Sequence, residues 1–134
     1  MLNALPLLGD APFIAVNGDI WCDFDFSTLP QNPHGVAHLM MVDNPPHHRV
    51  GDFVLREGLL FDEQSPRLTF AGIGVYRPSL VADHAPGIFG ITPLLRAEMR
   101  LGGVSGEHYR GQWMDVGTPQ RLQELDDRLL TKRP

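Results

Sequence analysis

Two apolar runs that each close on an acid constrain this chain more than any other feature. Pro12-Phe-Ile-Ala-Val-Asn-Gly-Asp19 is unbroken up to its Asn-Gly-Asp end, and Val36 to Val42, with His-Leu-Met-Met-Val at its heart, ends at Asp43. Runs this short and this apolar read as strands buried on both faces, as in parallel sheets. Each delivers a carboxylate to the strand's carboxyl end, where open α/β sheets bind ligands. The expectation is an α/β sheet with Asp19 at its rim.

The remaining segments fit that frame. Met1 to Leu8 has the leucine spacing of a helix end, stopped by Gly9. Asp52 to Asp62 alternates around Glu57-Gly58, which predicts a hairpin with a tight turn. Leu68 to Tyr76 predicts a strand whose two glycines let something approach its backbone. Pro78 to Asp83 predicts one helical turn. Ile91, Leu94, Leu95 and Met99 share one face of a helix over Phe89–Leu101, ended by Gly102-Gly103. Short strands are expected at Val104–Tyr109 and Gln112–Val116. Thr118 as N-cap and Pro119 in the first turn open a final helix to about Leu130, with Glu124, Asp126 and Asp127 on its solvated face.

Composition narrows the function. A chain of 134 residues with 43% hydrophobic and 20% charged residues suits one globular core. A formal net charge of -5 argues against nucleic acid as a partner, so any small anionic substrate needs locally placed cations. The apolar N-terminal stretch is interrupted by Pro6 and Gly9 and lacks a basic leader, which predicts neither signal peptide nor membrane span. Cys22 is the only cysteine; it excludes an internal disulfide and fits a cytoplasmic protein.

Two acids stand out chemically. Asp19 follows a strand and a glycine, a good place for a cation ligand, although Asn17-Gly18-Asp19 also reads as an ordinary turn. Asp115 interrupts the apolar Trp-Met-Asp-Val of Gln112–Thr118 and needs a cation or an arginine partner, since an isolated buried carboxylate is strongly disfavoured. His47-His48-Arg49, after Pro45-Pro46, forms a cationic loop cluster that reads as a surface loop or a phosphate contact. Adjacent histidines in an extended segment point apart, which argues against zinc. Trp21 and Trp113 read as packing residues.

Taken together, VNGD at a strand end, TFAGIGVY, GITPLLRAEM and GEHYRGQWMDVGT before a C-terminal helix resemble the sugar-1-phosphate nucleotidyltransferase family along nearly the whole chain. DNPPHHRVGDF and VSGEHYRGQWMDVGT resemble the branch that transfers UMP from UTP to N-acetylmuramate-1-phosphate in bacterial cell-wall recycling; mannose-1-phosphate guanylyltransferases are the nearest competitors. The resemblance implies a Rossmann-like nucleotidyltransferase fold, with a mixed, mostly parallel sheet flanked by helices and a small hairpin. It implies that residues 1–134 are the C-terminal sugar- and metal-binding portion, with Asp19 and Asp115 holding a catalytic magnesium. Its substrates would be a nucleoside triphosphate and a sugar-1-phosphate. Asn17, Gly72 and Glu107 match its sugar side; Gly72 also reads as a β-bulge and Glu107 as an exposed strand residue.

The chain departs from the family where the nucleotide is gripped. No glycine-rich loop or Pro-Lys-Pro segment is present, and Lys132 is the only lysine. Asp62-Glu-Gln-Ser-Pro66 stands where the family has Glu-Lys-Pro. The expectation is that the nucleotide-binding half is absent, that this chain alone is inactive, and that the strand ending at Asp19 leaves an exposed apolar edge. A second copy or another polypeptide would cover it. The alternative is a non-catalytic sugar-binding or regulatory module.

Overall fold

A computed structural model describes residues 9–64, 66–82 and 91–131. The helix end expected at residues 1–8 and the first residues of the helix expected from Phe89 lie outside them. Among the described residues eight strands and three α-helices follow in order: β1 (Phe13–Val16), β2 (Ile20–Cys22), β3 (Ala37–Val42), β4 (Val54–Arg56), β5 (Leu59–Phe61), β6 (Thr69–Tyr76), α1 (Ser79–Ala82), α2 (Ile91–Met99), β7 (Val104–His108), β8 (Trp113–Asp115) and α3 (Pro119–Thr131). Six strands form one sheet in the order β1-β6-β3-β7-β5-β4, and β2 pairs with β8 in a separate ribbon.

The α/β sheet is mixed, as expected, but its parallel share is smaller. Only β3 and β7 run parallel among the described strands, with Ala37 opposite Val104 and Met41 opposite His108. The pairs β1–β6, β3–β6, β5–β7 and β4–β5 are antiparallel. The expectation of burial on both faces holds for β3, where Leu39, Met40 and Met41 are almost wholly inaccessible. It fails for β1, which is an edge strand with Ile14 49% and Val16 47% exposed. A continuous apolar run cannot distinguish a central strand from an edge strand, and here it marked the exposed apolar edge that the sequence also predicts.

One face of the sheet carries Leu39, Met41, Phe53, Leu60 and Tyr76 against Leu95 and Met99 of α2. The other buries Met40, Val42, Ala71, Ile73 and Val75 beneath the β2–β8 ribbon, with Ile20, Cys22, Tyr109 and Trp113 packed over them. Local signals set the remaining elements. Glu57 and Gly58, both at positive φ, make the two-residue turn between β4 and β5. Gly102 at φ 72, with Gly103 N donating to Glu98 O and Gly102 N to Met99 O, closes α2 as a Schellman motif. Thr118 Oγ1 caps α3 by accepting from Arg121 N at 3.2 Å.

Candidate functional site

The β2–β8 ribbon brings two distant segments of the chain together. Ile20 faces Asp115 in the ladder, and Val116 N donates to Asp19 O at 2.7 Å. Asp23 anchors the ribbon: its backbone N donates to Gln112 O, its carboxylate accepts from Gln112 N, and it also accepts from the Tyr109 hydroxyl. Burial and the Asp23 carboxylate push that hydroxyl up to about 12. Trp113 Nε1 donates to Ala71 O at 2.9 Å and pins the ribbon to β6.

Asp19 and Asp115 line one cavity of about 310 Å³, together with Asn17, His47, Asp52 and Trp113. A larger cavity of about 930 Å³ lies across Trp113 and Asp115, walled by Pro45 and Pro46 on one side and by Arg121, Glu124 and Arg128 of α3 on the other. Asp19 is exposed and Asp115 half-buried.

Asp115 meets two nitrogen-bearing side chains. His47 Nε2 lies 2.8 Å from Oδ2, and Arg121 Nε lies 2.5 Å from Oδ1. The Arg121 contact is an ion pair without a hydrogen bond: both atoms are inaccessible and neither has a hydrogen-bond partner of acceptable geometry. His47 owes its position to a fixed loop. Asn44 Nδ2 donates to Arg49 O and Arg67 O, Asn44 Oδ1 accepts from Thr69 Oγ1, and Asp52 pairs with His48 Nε2 and Phe70 N. His47 and His48 therefore point to different acids, and Arg49 Nε donates to Pro46 O.

Gly72 is a bulge glycine. The β3–β6 register shifts between Leu39 and Met41, Gly72 has φ 81, and Asn17 N donates to Gly72 O at 2.8 Å. What approaches its backbone is the Asn17 side chain, with Nδ2 2.7 Å from where a Cβ would stand. Glu107 lines neither cavity. Its carboxylate is 3.3 Å from His38 Nε2, whose Nδ1 meets Ser105 Oγ at 2.8 Å. The fold thus gathers Asn17, Asp19 and Asp115, sets Gly72 behind Asn17, and leaves Glu107 apart on β7.

No family model matches the chain. Its sequence is 45% identical over 133 residues to an N-acetylmuramate alpha-1-phosphate uridylyltransferase from Neisseria meningitidis serogroup B, an alignment covering 91% of this chain and 57% of the relative. A protein of the same name from Caulobacter vibrioides is 30% identical over 142 residues, covering 95% of this chain and 58% of the relative. The fold superposes with a TM-score of 0.73 on a crystal structure from Bacillus anthracis assigned as a glucose-1-phosphate thymidylyltransferase, at 18% identity, covering 99% of this chain and 60% of that one. This is part of the sugar-1-phosphate nucleotidyltransferase fold. The chain spans less than three fifths of the length of the curated relatives it matches.

Within this nucleotidyltransferase fold the two acids suit a hard cation. Both are oxygen donors on one cavity. Among the described residues no three His, Cys, Asp or Glu side chains gather as a full ligand set. Residue-type reasoning missed Arg121, because an arginine in an amphipathic helix reads as solvated. It left His47 as a loop cation, although two prolines in front of it hinted at a stiff loop.

Proposed function

We propose that residues 1–134 form the sugar- and metal-binding portion of an enzyme that transfers UMP from UTP to N-acetylmuramate-1-phosphate and releases pyrophosphate. The supporting observation is the convergence of Asp19 and Asp115, from distant segments, on one cavity, in a chain 45% identical to a protein named for this reaction.

In this reading Asp19 and Asp115 hold magnesium, which when bound offsets the charge of two anionic reactants and keeps their phosphates in register. The protein's own part is orientation. Asn17, tied to Gly72 through its backbone and packed on it through its side chain, presents an amide to sugar hydroxyls at the cavity mouth. Trp113 walls the cavity and limits water. His47 holds one oxygen of Asp115 and so fixes the direction of its carboxylate. The glycine-rich loop and Pro-Lys-Pro segment that the family uses to grip the triphosphate are not among these 134 residues, which alone are proposed to be inactive. The outer edge of β1 is proposed to be covered by a second copy or another polypeptide.

Two measurements test the reading. Calorimetry should show weak magnesium binding to this chain that vanishes in an Asp19→Asn, Asp115→Asn double variant; an unchanged response in that variant would remove the metal assignment. A chimera in which these residues replace the matching stretch of the Neisseria relative should release pyrophosphate from UTP and N-acetylmuramate-1-phosphate in preference to GTP, CTP or dTTP, and to mannose-1-phosphate. Preference for another pair would overturn the substrate reading.

A further inference from the structure

We infer that the cavity of about 930 Å³ takes the acidic substituent of the sugar and that the Arg128 guanidinium holds its carboxylate. Arg128 thereby selects a sugar phosphate that bears a second acid over one that does not. The inference rests on the substrate reading above and adds the residue that chooses among sugars.

Three observations carry it. First, the two cavities adjoin: Pro45, His47, Trp113 and Asp115 line both. Trp113, pinned through Nε1 to Ala71 O, is a fixed aromatic wall on which the apolar face of a sugar can rest. A molecule with its phosphate beside Asp19 and Asp115 has room for its body in the larger cavity. Second, the smaller cavity is a poor place for a second anionic group, because Asp19, Asp52 and Asp115 line it and no arginine does. Third, Arg128 is the uncommitted arginine of the larger cavity. Its other arginine, Arg121, is engaged by Asp115. Among the described residues the Arg128 side chain has no hydrogen bond or ion pair. Glu124 stands one turn before it at the spacing of a helical pair, yet accepts from Gln120 Nε2 instead.

The spacing along α3 suits such a ligand. Arg121 touches Asp115, and Arg128 follows two turns later on the same cavity wall, about 10 Å along the helix axis. That is the reach of a hexose from its anomeric phosphate to a short acid substituent across the ring. Glu124 lies between the two arginines; it repels an anion there and accepts from hydroxyls, which leaves the carboxylate to the Arg128 end. A guanidinium offers a carboxylate two parallel N–H donors. N-acetylmuramate supplies that carboxylate, whereas N-acetylglucosamine and mannose have none.

The test is titration of the 134-residue chain, with magnesium present, by N-acetylmuramate-1-phosphate and by N-acetylglucosamine-1-phosphate. Binding is read from the Trp113 indole N–H resonance, and circular dichroism confirms each fold. Wild type should prefer the muramate phosphate about tenfold, and Arg128→Gln should lose that preference by weakening for the muramate phosphate alone. Arg128→Lys, which keeps the charge without the fork, should fall between the two. An Arg128→Gln chain that weakens equally for both ligands would show the guanidinium holding the shared phosphate and overturns the inference, as does the absence of binding by either ligand. A wild-type preference that survives Arg128→Gln removes this inference alone. A wild-type chain that holds both sugar phosphates alike removes the substrate reading and this inference with it.

Discussion

Gly72→Ala offers a sharp test of how the β6 bulge behind Asn17 is built, because its two costs can be separated. At φ 81 an alanine pays about 1–2 kcal/mol for left-handed backbone, offset by a few tenths to 1 kcal/mol from the stiffer unfolded chain. Its Cβ would also lie 2.7 Å from Asn17 Nδ2 and 3.0 Å from Asn17 Cβ and Cγ. Asn17 must then leave its rotamer, at about 1 kcal/mol, or strain the Asn17 N to Gly72 O hydrogen bond, worth about 1 kcal/mol. The expected loss is about 2 kcal/mol in urea unfolding followed by tryptophan fluorescence. Gly58→Ala is the control: φ 79, with nothing within 4 Å of its Cβ, so the backbone cost stands alone at about 1 kcal/mol. In an Asn17→Ala background Gly72→Ala should fall to the Gly58→Ala level, a coupling of about 1 kcal/mol. If Gly72→Ala costs no more than Gly58→Ala, or Asn17→Ala leaves its cost unchanged, the close approach of Asn17 is not what excludes a side chain at Gly72.

Two further outcomes follow from the structure. The chain has two tyrosines, Tyr76 raised by burial and Tyr109 pushed up to about 12 by burial and by the Asp23 carboxylate. Ultraviolet titration at pH 10 should therefore show almost no phenolate in the native chain. Because the folded state holds these protons more tightly, stability is full below the ordinary value of about 10 and falls as pH rises past it; an ordinary phenolate midpoint refutes this. The exposed Ile14 and Val16 on β1 should drive concentration-dependent self-association, measurable by sedimentation and lost in Val16→Lys. A wild-type chain that stays monomeric at high concentration counts against self-pairing through that edge.

What was legible in the sequence was what short-range chemistry decides. The end of α2 follows from Gly102, the start of α3 from Thr118-Pro119, and the β4–β5 hairpin from Glu57-Gly58, because each is fixed by a residue's own backbone preference or a neighbour's donor. Pairing direction was not legible. β1 and β3 carry the same apolar signature, yet β3 lies inside the sheet beside a parallel partner while β1 is an antiparallel edge, and only contacts between distant segments distinguish them. The site divides in the same way. Asp19 and Asp115 could be singled out because a carboxylate closing an apolar run has few comfortable fates. Arg121 could not, because its meaning comes from where the bend and cap at Thr118 aim the first turn of α3. The same local devices that made the helix predictable carry a cation back onto the acid before it. Residues spaced too far for a helical pair and too near for a sheet partner become neighbours through such a bend, and Asp115, Gly117 and Arg121 are that case.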